Sequence, residues 1–178
     1  RGTPFQIDAW LPEEEEVLFI RPRILNPHPK PIPMYWWSNI AVPETESTRV
    51  IVPADQAFGF GYAEGGLKRM PFPAKGKIDS SYPTNLNRAM DFFFDIPKGN
   101  RHWIASVDEE GIGFAQTSTS RLKGRKLFLW GQGPGAKTWQ KYLAKPGHAY
   151  IEIQAGLAHT QSEYLLMPAH TEWDWLET

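Results

Sequence analysis

The chain has 178 residues, a net charge of -1, no Cys, and 16 Pro and 15 Gly alongside eight Trp, six Tyr and ten Phe. The near-neutral charge without a Lys/Arg cluster argues against nucleic acid as a partner, and the lack of Cys excludes disulfides, thiolate metal sites and a thiol nucleophile. No apolar run approaches the roughly 20 residues of a membrane-spanning helix, and no signal peptide is visible.

Pro and Gly at this frequency interrupt long helices, while the aromatics favour strands, so the composition predicts an all-β domain over residues 1–178. Beginning at Arg1 rather than Met, the chain reads as a piece excised from a longer protein. Phe5, Ile7 and Ala9 alternate with Gln6, Asp8 and Trp10, a first strand ended by Pro12. Glu13 to Glu16 reads as a solvated turn. A second strand is predicted from Glu16 to about Asn26, with Pro22 marking an edge or a bulge. The alternating prolines between Asn26 and Pro33 then force an extended turn. From Pro33 to Val42, Met34, Trp36, Ser38, Ile40 and Val42 share one face of a strand, and Tyr35, Trp37 and Asn39 share the other.

Thr48 to Pro53 is a short strand, with which Phe58 to Tyr62 can pair. Ala63 to Asn100, rich in Gly, Pro, Ser, Asn and Asp, reads as a long irregular excursion fastened to the core by Phe92, Phe93 and Phe94. His102 to Val107 and Gly113 to Thr119 form a hairpin around Asp108–Gly111. In the strand from Arg125 to Gly131, Leu127 and Leu129 oppose Phe128 and Trp130. Gln132-Gly-Pro-Gly135 is a turn carrying no P-loop or dinucleotide fingerprint, and Ala136 to Leu143 is the one predicted helix. A strand at Tyr150, another from Gln161 to Met167 and a last alternation through Trp173, Trp175 and Glu177 complete the chain. Many short strands and one short helix predict an antiparallel sandwich.

The most informative strand runs through His148 to Tyr164. Its Ile151, Ile153, Ala155 and Leu157 suit a core, while Tyr150, Glu152 and Gln154 point the other way. A carboxylate accepts hydrogen bonds and an amide both donates and accepts, so this pair can grip a molecule covered in hydroxyls. Glu152 is the best candidate for proton transfer, since neighbouring aromatics can desolvate it and raise its pKa. Glu163, Glu172 and Glu177 are weaker candidates. Trp36, Trp37, Trp130 and Trp139 either stack on the C–H face of a pyranose or pack in the core. The five histidines, at positions 28, 102, 148, 159 and 170, lack metal-ligand spacing, no Gly-x-Ser-x-Gly elbow is present, and neither a metal nor a cofactor is expected.

Four stretches in fixed order, Tyr35–Val42, Thr48–Ala54, Lys126–Gly131 and Tyr150–Gly156, resemble the bacterial domain of unknown function 5107, which often sits beside tetratricopeptide repeats. The resemblance implies a β-supersandwich similar to galactose mutarotase, with a sugar or oligosaccharide as ligand and other domains of the parent chain, tetratricopeptide repeats among them, as partners. In mutarotases a Glu-x-Gln strand supplies the base that takes the proton from the anomeric hydroxyl. Glu152-Ile-Gln154 matches it, so the resemblance implies Glu152 as the base. Mutarotases draw their acid from a histidine in an Asn-His-x-Tyr-Phe-Asn-Leu motif. The comparable strand here keeps Asn39, places Tyr35 where that histidine falls, and leaves His28 in the preceding turn as a substitute. The expectation is a glycoside hydrolase-like carbohydrate-active domain with Glu152 as catalytic carboxylate. Tyr35, Trp37, Asn39, Trp130, Tyr150, Gln154 and His28 are its substrate-binding candidates. The alternatives are a non-catalytic carbohydrate-binding or structural module and an aldose 1-epimerase-like enzyme. A second acidic group about 5–10 Å from Glu152 would favour glycoside cleavage.

Overall fold

Short alternating runs cut by Pro and Gly can bury one face of a strand but not a long helical stripe, and the computed structural model is built accordingly. It describes residues 2–62, 65–74, 76 and 78–178. In order the elements are β1 (Phe5–Trp10), β2 (Phe19–Asn26), β3 (Ile32–Met34), β4 (Trp37–Pro43), β5 (Arg49–Ile51), β6 (Gln56–Gly61) and β7 (Leu67–Pro71). After a 3₁₀ turn at Pro83–Asn85 come β8 (Met90–Phe94), β9 (Trp103–Val107), β10 (Gly113–Thr117), β11 (Gly124–Leu129), the helix α1 (Pro134–Leu143), β12 (Tyr150–Gly156), β13 (Leu165–Met167) and β14 (Thr171–Asp174).

The largest sheet is antiparallel with strand order β4-β12-β11-β8-β6-β7, accompanied by three-stranded sheets β1-β2-β14 and β10-β9-β5 and the pair β13-β3. The inward faces of five strands of the large sheet present Val42, Ile151, Ile153, Leu127, Leu129, Phe92, Phe94 and Ala57 to Ile104 and Val50 of the β10-β9-β5 sheet. That is a two-layer sandwich with its core between the layers. A second cluster joins Ile24, Met34, Leu122, Ala155, Leu157, Met167 and Trp175, with Trp36 set edge-on to Trp175 at 5.3 Å.

Several elements differ from expectation. The segment expected to be an irregular excursion contains β7 and β8, and β8 lies inside the large sheet between β11 and β6; positions 63, 64, 75 and 77 of that segment lie outside the described residues. Phe92 and Phe94 do fasten it to the core, whereas Phe93 projects from the opposite face. The second strand begins at Phe19, not Glu16, and Val17 and Leu18 are exposed. Pro22 sits in the middle strand of its sheet rather than on an edge. Opposite it the Pro22 carbonyl accepts from the Trp175 N–H at 3.3 Å without a return bond, which proline cannot donate, and the same register resumes at Ile20↔Glu177. The helix starts two residues earlier than predicted, with Pro134 in the first turn, where its missing N–H costs nothing.

Candidate functional site

Direct cross-strand partners point to the same face of a sheet. The registers therefore lay two rows across the face of the large sheet turned away from the core. One runs Asn39, Gln154, Lys126, Phe93, Phe58, Arg69; the other runs Ala41, Glu152, Phe128, Asp91, Phe60, Leu67. Beside them Trp37 pairs with Gly156, which pairs with Gly124. A Cβ at either glycine would strike the Trp37 ring, so the two glycines make the bed on which the indole lies. Its edge meets Phe93 at 5.9 Å.

A continuous hydrogen-bond chain crosses this face. Asn39 Nδ2 donates to Glu152 Oε2 at 2.7 Å, and Gln154 Nε2 donates to the same oxygen at 2.9 Å. Gln161 Nε2 donates to Gln154 Oε1 at 2.7 Å, and Lys126 Nζ donates to Gln161 Oε1 at 2.6 Å. The Lys126 ammonium also pairs with Asp91 Oδ1 at 2.7 Å, and the Tyr62 hydroxyl donates to Asp91 Oδ2 at 2.9 Å. Burial, reinforced by the bond to Asp91 and the charges of Asp91 and Glu152, pushes the Tyr62 phenol well above its ordinary value, so it remains a donor. Gln161 is presented by a turn in which Thr160 N and Oγ1 both donate to Glu163 Oε2 at 2.9 Å. Glu163 thus closes that turn.

The chain separates scaffold from open groups. Gln154, Lys126 and Asp91 are buried, while Asn39 is exposed and Glu152 half-buried. Both amides converge on Oε2 of Glu152, and among the described residues no hydrogen bond reaches its Oε1. A pinned carboxylate with one oxygen to spare can accept from a ligand hydroxyl, or take its proton, without first reorganising.

Next to Phe128 the face opens into a cleft of about 1080 Å³ walled by Tyr62, Met90, Phe128, Trp130, Trp139 and Leu143. Trp130 holds it together, meeting Phe128 at 4.8 Å, Tyr150 at 6.0 Å and Trp139 of α1 at 6.3 Å. Helix α1 is docked from behind by Glu44, whose Oε1 accepts from Gln132 Nε2 at 2.7 Å and which lies beside Gln140, the buried residue of the helix. Burial raises the Glu44 carboxyl above its ordinary value near 4.5, the two amides opposing this. The folded chain thus holds this proton to higher pH than the unfolded chain does. The resulting stabilisation is complete below the unfolded value and is lost as pH rises through the folded one. Glu44→Gln is expected to match the native protein in urea unfolding at pH 4 and to exceed it in stability at pH 7; an equal gap at both pH values would contradict this.

Of the residues singled out from sequence, Trp37, Asn39, Glu152 and Gln154 share one face, and Tyr150 and Trp130 stand at its border with the cleft. Tyr35 does not follow the alternation, because β4 begins at Trp37; it lies in the preceding link with 55% of its surface exposed. His28 belongs to the turn between β2 and β3, where its N–H donates to Asn26 Oδ1 and its carbonyl accepts from His170, away from the large sheet's strands. Tyr62, Asp91, Lys126 and Gln161 were not singled out. Lys126 alone carried a local signal, since it alternates in step with Phe128 and Trp130. Among the described residues no three His, Asp or Glu side chains are grouped to hold a metal, and no helix is long and apolar enough to cross a membrane.

The family model of a domain of unknown function, DUF5107, matches residues 1–170. No curated protein matches the sequence. Among solved structures, a tetratricopeptide-repeat-domain protein from Parabacteroides distasonis superposes with a TM-score of 0.81 at 20% identity over 99% of this chain and 29% of its own. A putative aldose 1-epimerase from Escherichia coli K12 gives 0.61 at 10% identity over 90% of this chain and 54% of its own. A galactose mutarotase-like protein from Clostridium acetobutylicum gives 0.57 at 11% identity over 98% and 61%. The fold is therefore galactose mutarotase-like, and the chain spans between 29% and 61% of the length of these three structures.

Proposed function

The chain belongs to the DUF5107 family, and on that footing we propose that it recognises a carbohydrate on the outward face of its six-stranded sheet, with Glu152 accepting from the sugar's hydroxyls. The observation that carries this reading is the Glu152 carboxylate, pinned at Oε2 by Asn39 and Gln154 and open at Oε1, beside the aromatic cleft. The names of the aldose 1-epimerase and the galactose mutarotase-like protein attach sugars to two structures of this fold, which supports the choice of ligand class. Exposed Asn39 adds a donor and an acceptor at the rim, and Trp37 an apolar surface on the same face.

Glycoside cleavage would need a second carboxyl as proton donor. Asp91 is the acid sharing the row of Glu152, two strands away and so about 10 Å distant between Cα atoms. Both of its oxygens are already engaged, one by the Lys126 ammonium and one by the Tyr62 hydroxyl. Recognition is supported ahead of cleavage for that reason. The open Oε1 of Glu152 also fits a base for an anomeric hydroxyl, the epimerase-like reading, and anomer exchange followed by NMR would reveal it.

Calorimetric titration of the full-length protein with a panel of oligosaccharides, with chromatography of the mixtures, tests the proposal. Glu152→Ala is expected to weaken binding on the order of 10- to 100-fold, as loss of a charged hydrogen bond does. Undiminished affinity in that variant would remove Glu152 from the site, and sugar products in the chromatogram would restore the hydrolase reading.

A further inference from the structure

The cleft beside Glu152 has the wrong chemistry for a sugar. A pyranose carries a polar group on nearly every carbon, and each one buried without a partner costs binding. Yet most of the lining is apolar, with Met90, Phe128, Trp130, Trp139, Leu143 and the Tyr62 ring set alongside Asn87 and Arg88, and among the described residues no acidic side chain lines the cleft. Two of the polar groups that do line the cleft are turned into the protein: the Tyr62 hydroxyl is spent on Asp91 and the Gln132 amide on Glu44. What remains is a mostly apolar volume of about 1080 Å³, with Asn87 and Arg88 in its lining and room for more than one ring.

The cleft is also continuous with the polar face. Phe128 is the direct cross-strand partner of Glu152, which places their Cβ atoms about 5 Å apart. Tyr150, two residues from Glu152 and on the same face, meets the Trp130 ring at 6.0 Å. A substituent on a sugar held at Glu152 therefore enters the cleft within the span of a single side chain.

We propose that the ligand is an amphiphilic glycoside, its sugar over Asn39 and Glu152 and its alkyl or aryl aglycone in the cleft between Trp130 and α1. The inference rests on the carbohydrate reading and narrows it to a ligand class. Trp139 and Leu143, one turn apart on the cleft-facing side of α1 and 55% and 51% exposed, form the outer wall and set aglycone selectivity without touching the sugar.

Titration of the full-length protein with methyl, octyl and 4-nitrophenyl glycosides of glucose, galactose and mannose, with oligosaccharides of the same sugars, and with 4-nitrophenol and octanol alone tests it. For the preferred sugar the octyl or 4-nitrophenyl glycoside is expected to bind at least about tenfold more tightly than the methyl glycoside, as burial of several apolar carbons requires. Trp139→Ala, at an exposed position, is expected to erase most of that advantage and leave the methyl glycoside's affinity unchanged. Equal affinity for methyl and long-chain glycosides would overturn the inference and leave the carbohydrate reading standing. An oligosaccharide binding more tightly than any aglycone-bearing glycoside would do the same, making the cleft a stacking surface for further sugar rings. Octanol or 4-nitrophenol binding as tightly as the glycosides would overturn it by uncoupling the cleft from the sugar. Absence of binding by every glycoside and oligosaccharide would remove both readings.

Discussion

Lys126→Met is expected to destabilise the protein by about 3–5 kcal/mol, the usual cost of orphaning one half of a buried ion pair. Lys126 and Asp91 keep only 5% and 7% of their side-chain surface, and their charged atoms lie 2.7 Å apart between the rings of Phe93 and Phe128. Removing the ammonium leaves the Asp91 carboxylate buried with the Tyr62 hydroxyl as its remaining donor, and it also frees Gln161 from one of its two anchors. A double variant, Lys126→Met with Asp91→Asn, carries no buried charge. It is expected to recover most of the loss, because the attraction within such a pair roughly offsets the cost of taking both charges out of water. The double-mutant cycle, read from urea unfolding, should therefore show a coupling of about 2 kcal/mol or more. Additive losses would mean that the two charges do not depend on one another. The double variant also separates stability from recognition, since it spares Asn39, Glu152 and Gln154 while breaking the chain beyond Gln161.

Which parts of this site were legible follows from what a local pattern can contain. Glu152, Gln154 and Asn39 were found because parity within one strand needs no knowledge of neighbours, and two of the four stretches that carry the DUF5107 resemblance are those same strands. Tyr35 broke the rule where the strand stops: Met34 and Trp36 are drawn to the second core cluster, and the pleat begins only at Trp37. Strand β8 was illegible because five residues with Phe on both faces show no alternation and lie in a segment dense with turn formers. With β8 misread, Asp91 had no address, and neither Tyr62 nor Lys126 had a visible partner. The order β12-β11-β8-β6 is a property of the whole chain, whereas each strand's two faces are a property of a few residues. The antiparallel sandwich was therefore legible in composition and pattern and its mutarotase-like form in the family resemblance, but the network that holds Glu152 needed the topology.

Glu177→Leu is expected to be about as costly as loss of Lys126, again about 3–5 kcal/mol, for a reason that reaches β4 from behind. This carboxylate is buried, 3% exposed, and accepts from Trp175 Nε1 at 2.9 Å, Ser38 Oγ at 2.6 Å and Gln116 Nε2 at 3.1 Å. It is also the anion that favours the charged form of Arg125, a fully buried guanidinium whose pKa burial pulls down to about 10. Leucine fills the volume but leaves those donors unpaired and that cation without its counter-charge. Backbone bonds tie the same segment to two layers, since Glu177 exchanges N–H and carbonyl with Ile20 while Thr178 exchanges with Thr117. Ser38 lies between Trp37 and Asn39 on β4, so losing its anchor loosens the strand that pins Glu152 from one side. Glu177→Gln keeps one acceptor and should cost roughly 1–3 kcal/mol, which keeps the test readable if the leucine variant does not fold. Both variants should bind sugar less tightly than their residual folded fraction accounts for. Stability unchanged in Glu177→Gln and Glu177→Leu alike would show that the buried cluster contributes nothing to holding β4 in place.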